Sequence, residues 1–134
     1  MSEIKVDTLT GKTTANDITV TVGATATQSL EQGLAKAWVR FDASSGTPTA
    51  NDSLNFSSFT DHNAGKHRVF FNNSMGNANY AWSGGGSNQG TDSRHIFNNN
   101  DAPATASFRL ATTNSSNTST DGTYNSLTIH GDLA

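Results

Sequence analysis

The chain contains no cysteine, only two prolines, and few charged side chains: Asp, Glu, Lys and Arg make up 14% of its 134 residues. The absence of cysteine excludes a disulfide scaffold and any thiolate metal site or nucleophile. The eight Lys and Arg are scattered singly in a chain of net charge −3, so there is no electrostatic footprint for nucleic acid. No apolar run approaches the roughly 18 residues that a membrane span requires. The start, Met1-Ser2-Glu3-Ile4-Lys5, lacks the apolar core of a signal peptide, and the expectation is synthesis in the cytosol without membrane insertion. Hydrophobic residues are 33% and aromatics 8%, against roughly 45–50% apolar residues (Gly included) in an ordinary domain, so a lone copy has little with which to build a core. Oligomerisation is the natural remedy.

What fills the sequence instead is Asn, Ser and Thr, at about fifty positions. These are short neutral side chains with good strand and turn propensity, not the charge excess of a disordered chain. They point to an ordered, loop-rich β protein. Its length fits one folding unit.

Along the chain, Ile4 and Val6 alternate with polar neighbours, as do Ile18, Val20 and Val22, which makes residues 1–24 an extended N-terminal arm. Thr25 and Gln28 have capping-box spacing, and Leu30, Leu34 and Trp38 follow at i, i+4 and i+8 with Ala37 beside them. This predicts one short helix over 25–38. A helix of that length is marginal alone, more so with Gly33 inside it, so its stripe requires a partner. Beyond Trp38 the period becomes two. Strands are predicted at 38–42, 54–60, 66–72, 79–83, 94–98, 105–112 and 124–130, giving a small antiparallel β-sandwich of about seven strands over 39–134. Phe59 is out of phase with Leu54 and Phe56, which places a bulge near Ser57-Ser58. Residues 61–65 make a hairpin turn, and 43–53, 84–93 and 113–123 are left as long polar connections.

Side chains that could carry chemistry are sparse. His62, His67, His95 and His130 lack the convergent spacing of a metal site and are expected on surface strands and turns; neither metal nor cofactor is expected. Asp52, Asp61, Asp92 and Asp101 sit among Asn, Gly and Ser, where Asp caps turns, rather than in the paired arrangement glycoside cleavage requires. Ser83-Gly84-Gly85-Gly86-Ser87 is not followed by a helix, so it is neither a nucleophile elbow nor a phosphate loop. No enzymatic activity is expected. Tyr80 and Trp82 lie two apart on one strand face, where they either fill the thin core or form a stacking platform for a surface ligand such as a sugar.

The run Gly33-Leu34-Ala35-Lys36-Ala37-Trp38-Val39-Arg40-Phe41-Asp42 resembles the Ala-Lys-Ala-Trp-Val-x-Phe signature of fibre-like virion proteins of marine bacteriophages. The segments 52–61, Val69-Phe70-Phe71-Asn72, Met75-Gly76-Asn77-Ala78-Asn79-Tyr80-Ala81 and Ser107-Phe108-Arg109-Leu110 are similar to further motifs of that family, in order, over roughly residues 17–130. The resemblance implies a trimeric, β-rich structural module of a tail fibre or short spike on the virion. Its arm would dock on other virion proteins and its outer part would contribute to attachment at a host-surface glycan. A capsid decoration or a fibre connector without a ligand fits the same length, as does, less well, a carbohydrate-active enzyme. With the helix as symmetry element, the expected trimer interface is Leu30, Gly33, Leu34, Ala37 and Trp38.

Overall fold

A computed structural model describes residues 4–12, 18–22, 24–88, 93–99 and 101–134. The chain is mainly β and divides into two compact units, residues 1–34 and 35–134.

In the first unit, β1 (Thr19–Val22) and β2 (Ala26–Ser29) form an antiparallel hairpin with Thr19 opposite Ser29 and Val22 opposite Ala26. A single turn of helix follows, α1 (Leu30–Gly33). Its cap is Ser29, whose hydroxyl accepts from the Gln32 N–H at 3.4 Å, while the Leu30 N–H donates to the Ile18 carbonyl at 2.7 Å. The helix expected over 25–38 is therefore corrected to four residues. Ala26 to Ser29 pair with Thr19 to Val22 across the hairpin, a context that overrides weak helical propensity, and Ala37 and Trp38 belong to the next strand. An isolated two-stranded hairpin is marginal in water, and this unit exposes Ile4, Val6, Leu9, Val20 and Leu34, five of the nine exposed large hydrophobics among the described residues.

The second unit is a barrel-like sandwich of eight strands: β3 (Ala37–Asp42), β4 (Thr49–Leu54), β5 (Phe56–Asn63), β6 (Lys66–Phe71), β7 (Ala81–Ser87), β8 (Ser93–Asn98), β9 (Ser107–Thr113) and β10 (Tyr124–His130). Their order is β4-β3-β10-β7-β8-β9-β6-β5, antiparallel throughout. The layers β4-β3-β10-β7 and β8-β9-β6-β5 join through a short β7–β8 pairing, Gly86 opposite Arg94 and Ser87 opposite Ser93. At the other side, the chain passes from β4 to β5 through Asn55, which adopts φ 53°. Asn tolerates that left-handed geometry, and its side chain is tied by two hydrogen bonds to the Asn73 backbone, at 3.0 and 2.7 Å.

Alternation along the strands decides what is buried. Ala37, Val39 and Phe41 of β3 and Leu127 and Ile129 of β10 meet Val69 and Phe71 of β6 and Phe108 and Leu110 of β9. Phe41, Phe108, Leu110 and Ile129 have no exposed surface. The register of β5 on β6 shifts between Phe56 and Ser58, the expected bulge. It brings Phe56 and Phe59 together with ring centroids 4.7 Å apart, and Phe59 reaches Phe41 at 4.9 Å. Strand β4, but for Leu54, lies inside the segment expected as a long connection. With Ala50 and Leu54 as its only apolar residues on an edge strand, it has no alternation to announce it.

Candidate functional site

One expected group of site residues is turned inward by the fold and the other is split up. Tyr80 is 7% exposed, and its hydroxyl donates toward the carbonyls of Ala104 and Ser107 at 3.1 and 3.2 Å. Burial pushes its phenol up to about 12. Tyr80 is thus a core residue, not a surface-ligand contact. Trp82 follows it inward and packs on Phe108 with centroids 5.0 Å apart. Trp82 obeys the β7 alternation, in which Trp82, Gly84 and Gly86 face inward while Ala81, Ser83 and Gly85 face out, and Tyr80, just before the strand, lies on the same inward side.

The five residues expected at a trimer interface share no helical stripe. Leu30 is half-buried and Leu34 is 54% exposed in the first unit, with Gly33 exposed between them. Ala37, 3% exposed, is sealed in the sandwich core, whereas half-buried Trp38 points to the outer face of β3. The period of two in Ala37-Val39-Phe41 begins one residue earlier than expected and removes Ala37 from any intermolecular contact.

The buried ionisable cluster is centred on His67, expected at the surface but without exposed area. Its Nδ1 lies 3.4 Å from Asp61 Oδ1, and its Nε2 lies 3.3 Å from Asp121 Oδ1. These are ion-pair separations rather than aligned hydrogen bonds. The Phe41 ring stands edge-on to the imidazole at 6.0 Å. Asp121 Oδ1 also accepts from the Gly65 N–H at 2.6 Å, and the Thr112 N–H donates to the Gly65 carbonyl at 2.7 Å. The group clips the β5–β6 turn to the connection after β9. Having no exposed atom, the imidazole does not meet a substrate, and its role is structural.

Burial lowers the His67 pKa below its ordinary 6.5, against the two carboxylates that raise it. Above about pH 6.5 the imidazole is neutral in both the folded and unfolded chain; below it the unfolded chain takes up the proton first, so folding loses stability until the folded value is passed. Denaturant unfolding between pH 7 and 5 should show a loss with a slope of up to about 1.4 kcal/mol per pH unit from this group. The His67→Gln variant should lose that component; an unchanged slope contradicts the assignment.

On the outer face of the β6–β9 layer, Arg68 and Arg109 stand directly opposite each other. Their repulsion is relieved by Asp101, whose Oδ2 accepts from Arg68 at 2.7 Å and from Arg109 at 3.0 Å. The Arg109 hydrogen bond holds the Asp101 carboxyl below its ordinary value. The result is a clamp on the segment after β8. Among the described residues no group of three His, Cys, Asp or Glu is placed to hold a metal, and no helix is long and apolar enough to cross a membrane.

The outer face of β7-β10-β3 is set by the register of its strands. Cross-strand rows align Gly85–Ser126–Arg40–Asp52 and Ser83–Thr128–Trp38–Leu54. Above the first row Tyr124 is 43% exposed, with the Arg40 guanidinium 5.5 Å from its ring centroid. Sequence reasoning passed over Tyr124 and Arg40, although their phase was available: each is out of step with the apolar positions Leu127 and Ile129, or Val39 and Phe41, of its own strand. Compared with protein-family models, with curated proteins and with solved structures, the chain matches none.

Proposed function

We propose that this chain is a structural module of a bacteriophage virion, a trimeric component of a tail fibre or short spike that contributes to attachment at the host surface. The observation that carries the reading is the ordered resemblance to fibre-like virion proteins over roughly residues 17–130. Its motif residues coincide with the elements that build the sandwich: 37–42 is β3, 52–61 runs from β4 into β5, 69–71 closes β6, and 107–110 opens β9. Residues that define a family through its core are those that set packing, which supports a shared architecture.

Trimerisation is supported by the distribution of exposed apolar surface. Among the described residues, five large hydrophobics lie exposed in a unit whose regular elements there are a hairpin and one helical turn. Too little is buried there to hold the unit by itself. Association between copies supplies the missing contacts, and the hairpin with its α1 turn replaces the long helix as the assembling element. The N-terminal segment then docks on neighbouring virion proteins.

Sedimentation velocity tests this. The expected mass is three times that of the 14.1 kDa chain at low micromolar concentration. In a Leu30→Asp/Leu34→Asp double variant the mass should fall to that of the monomer, while the sandwich keeps its near-UV circular dichroism. A monomeric wild-type chain contradicts the trimer. A trimer indifferent to both substitutions contradicts this choice of assembling element.

A further inference from the structure

The first unit contains an open cavity of about 260 Å³, lined by Val20 of β1, Gln28 and Ser29 of β2, and Leu30, Gly33 and Leu34 of α1. Its walls are largely aliphatic. Gly33 lets α1 close down on the hairpin, because a Cβ there would lie 2.9 Å from Gln28 Nε2. Val20 and Leu34 are left 43% and 54% exposed at the mouth. An apolar cavity of roughly 150 Å³ takes up a benzene molecule, so one of this size has room for about two branched aliphatic side chains.

The strand beside the cavity is open as well. Among the described residues β1 pairs with β2 and with no other strand, so its far edge presents backbone N–H and C=O groups to an extended chain laid along it. A two-stranded hairpin becomes stable when a third strand is added over an apolar face. Residues 4–7 have the length and pattern for that place. They match the four residues of β1, and in an extended chain Ile4 and Val6 fall on one side, about 7 Å apart, with Lys5 and Asp7 on the other. The segment does not fill the cavity of its own unit: neither apolar residue lines it, and Ile4 is 84% and Val6 56% exposed. An occupant from a second copy also continues the interface, since Leu30 and Leu34 line the cavity and are the residues on which the trimer reading rests.

We propose that Ile4–Asp7 of one copy adds as a third strand along the free edge of β1 in the next copy, with Ile4 and Val6 entering the cavity walled by Val20, Leu30 and Leu34. This rests on the trimer reading above and names the contact that makes it. Backbone pairing holds the segment and the two aliphatic side chains fix its position, the usual division of labour when a peptide extends a sheet. Every copy gives one strand and receives one, a head-to-tail arrangement that in a trimer closes into a ring.

The test mixes methyl-labelled and unlabelled copies of the full chain, reads contacts between copies by isotope-filtered NMR, and follows mass by sedimentation velocity. Methyl contacts from Ile4 or Val6 of one copy to Val20, Leu30 or Leu34 of another are the expected result. Ile4→Asp/Val6→Asp should weaken assembly about tenfold or more, with the near-UV circular dichroism of the sandwich kept. Leu9→Asp is the control: Leu9 is 60% exposed but out of phase with Ile4 and Val6, so the mass should stay that of the wild type. The strand exchange is overturned if a trimer shows no such contacts, if its assembly is unchanged in the double variant, or if Leu9→Asp weakens it as much. Each of these outcomes leaves the trimer standing. The same methyl contacts in a two-copy assembly support the exchange and contradict the trimer, and a monomeric wild type overturns both.

Discussion

Gly65→Ala should destabilise the protein by about 3 kcal/mol or more, a large share of the 5–15 kcal/mol that holds a typical domain. Two effects add. Gly65 has φ +71°, a left-handed conformation that costs an L-residue roughly 1–2 kcal/mol. Its missing Cβ would also lie 2.5 Å from the Thr112 carbonyl oxygen and 2.6 Å from the Thr120 nitrogen. Both are backbone atoms that cannot withdraw freely. Thr112 and Thr120 are bonded to each other at 3.1 Å and Thr112 to Gly65 at 2.7 Å, while Asp121 holds the Gly65 N–H and also faces His67. Overpacking of this kind costs about 1–3 kcal/mol. Gly46 supplies the control: its φ is +92°, but a Cβ there meets nothing within 4 Å. Gly46→Ala should therefore carry only the conformational cost, and the difference between the two unfolding free energies in urea isolates the packing of the turn against the 112–121 segment. Equal losses in the two variants would show that this packing contributes nothing.

Truncating Phe108 to Ala is expected to cost about 3–5 kcal/mol, the range for removing a fully buried aromatic side chain from a core that relaxes only partly. Phe108 has no exposed surface and receives Trp82 at 5.0 Å and Tyr80 at 6.4 Å from the opposite layer, so it bridges the halves of the sandwich where β7 and β9 face each other. In a chain with 33% hydrophobic residues there are few neighbours to collapse into the space. Phe97→Ala gives the comparison, since Phe97 is 41% exposed on β8 and should cost under about 1 kcal/mol. The midpoint and slope of guanidinium unfolding separate a lost contact from a loosened native state. Similar costs for Phe97 and Phe108 would contradict the layering.

The sandwich was legible wherever apolar residues alternate without interruption. Phe108-Leu110 and Leu127-Ile129 each mark a strand, though Ala106 falls in the turn before β9, and the slipped phase of Phe59 marks a bulge found at Phe56–Ser58. Where alternation fails, so did legibility. Strand β4 offers only Ala50 and Leu54, and its existence depends on pairing with β3, a contact no local pattern encodes. The expected helix read Leu30, Leu34 and Trp38 as one stripe because both periods place an apolar residue at 34 and 38. Pairing of Ala37 with Ile129 decides between them.

The candidate site was less legible than the fold. The inward phase of Tyr80 and Trp82 was visible, but whether that face looks to core or solvent depends on the layer opposite. His67 looked like a turn histidine because its two carboxylates come from Asp61, six residues before it, and Asp121, beyond three further strands. The outward position of Gly85 needs the strand register to be seen at all. In a run of three glycines, only the neighbours of each position distinguish packing from an open surface.

Two quantities are decisive: where the chain sits on the particle and in how many copies. Cryo-electron tomography of particles carrying this chain, with subtomogram averaging and an antibody fragment against the sandwich, measures both. Density for three copies about a single axis on a tail appendage, with the antibody fragments at its outer part, is the expected result. Density distributed over the capsid faces, or appendages lacking the chain, contradicts it.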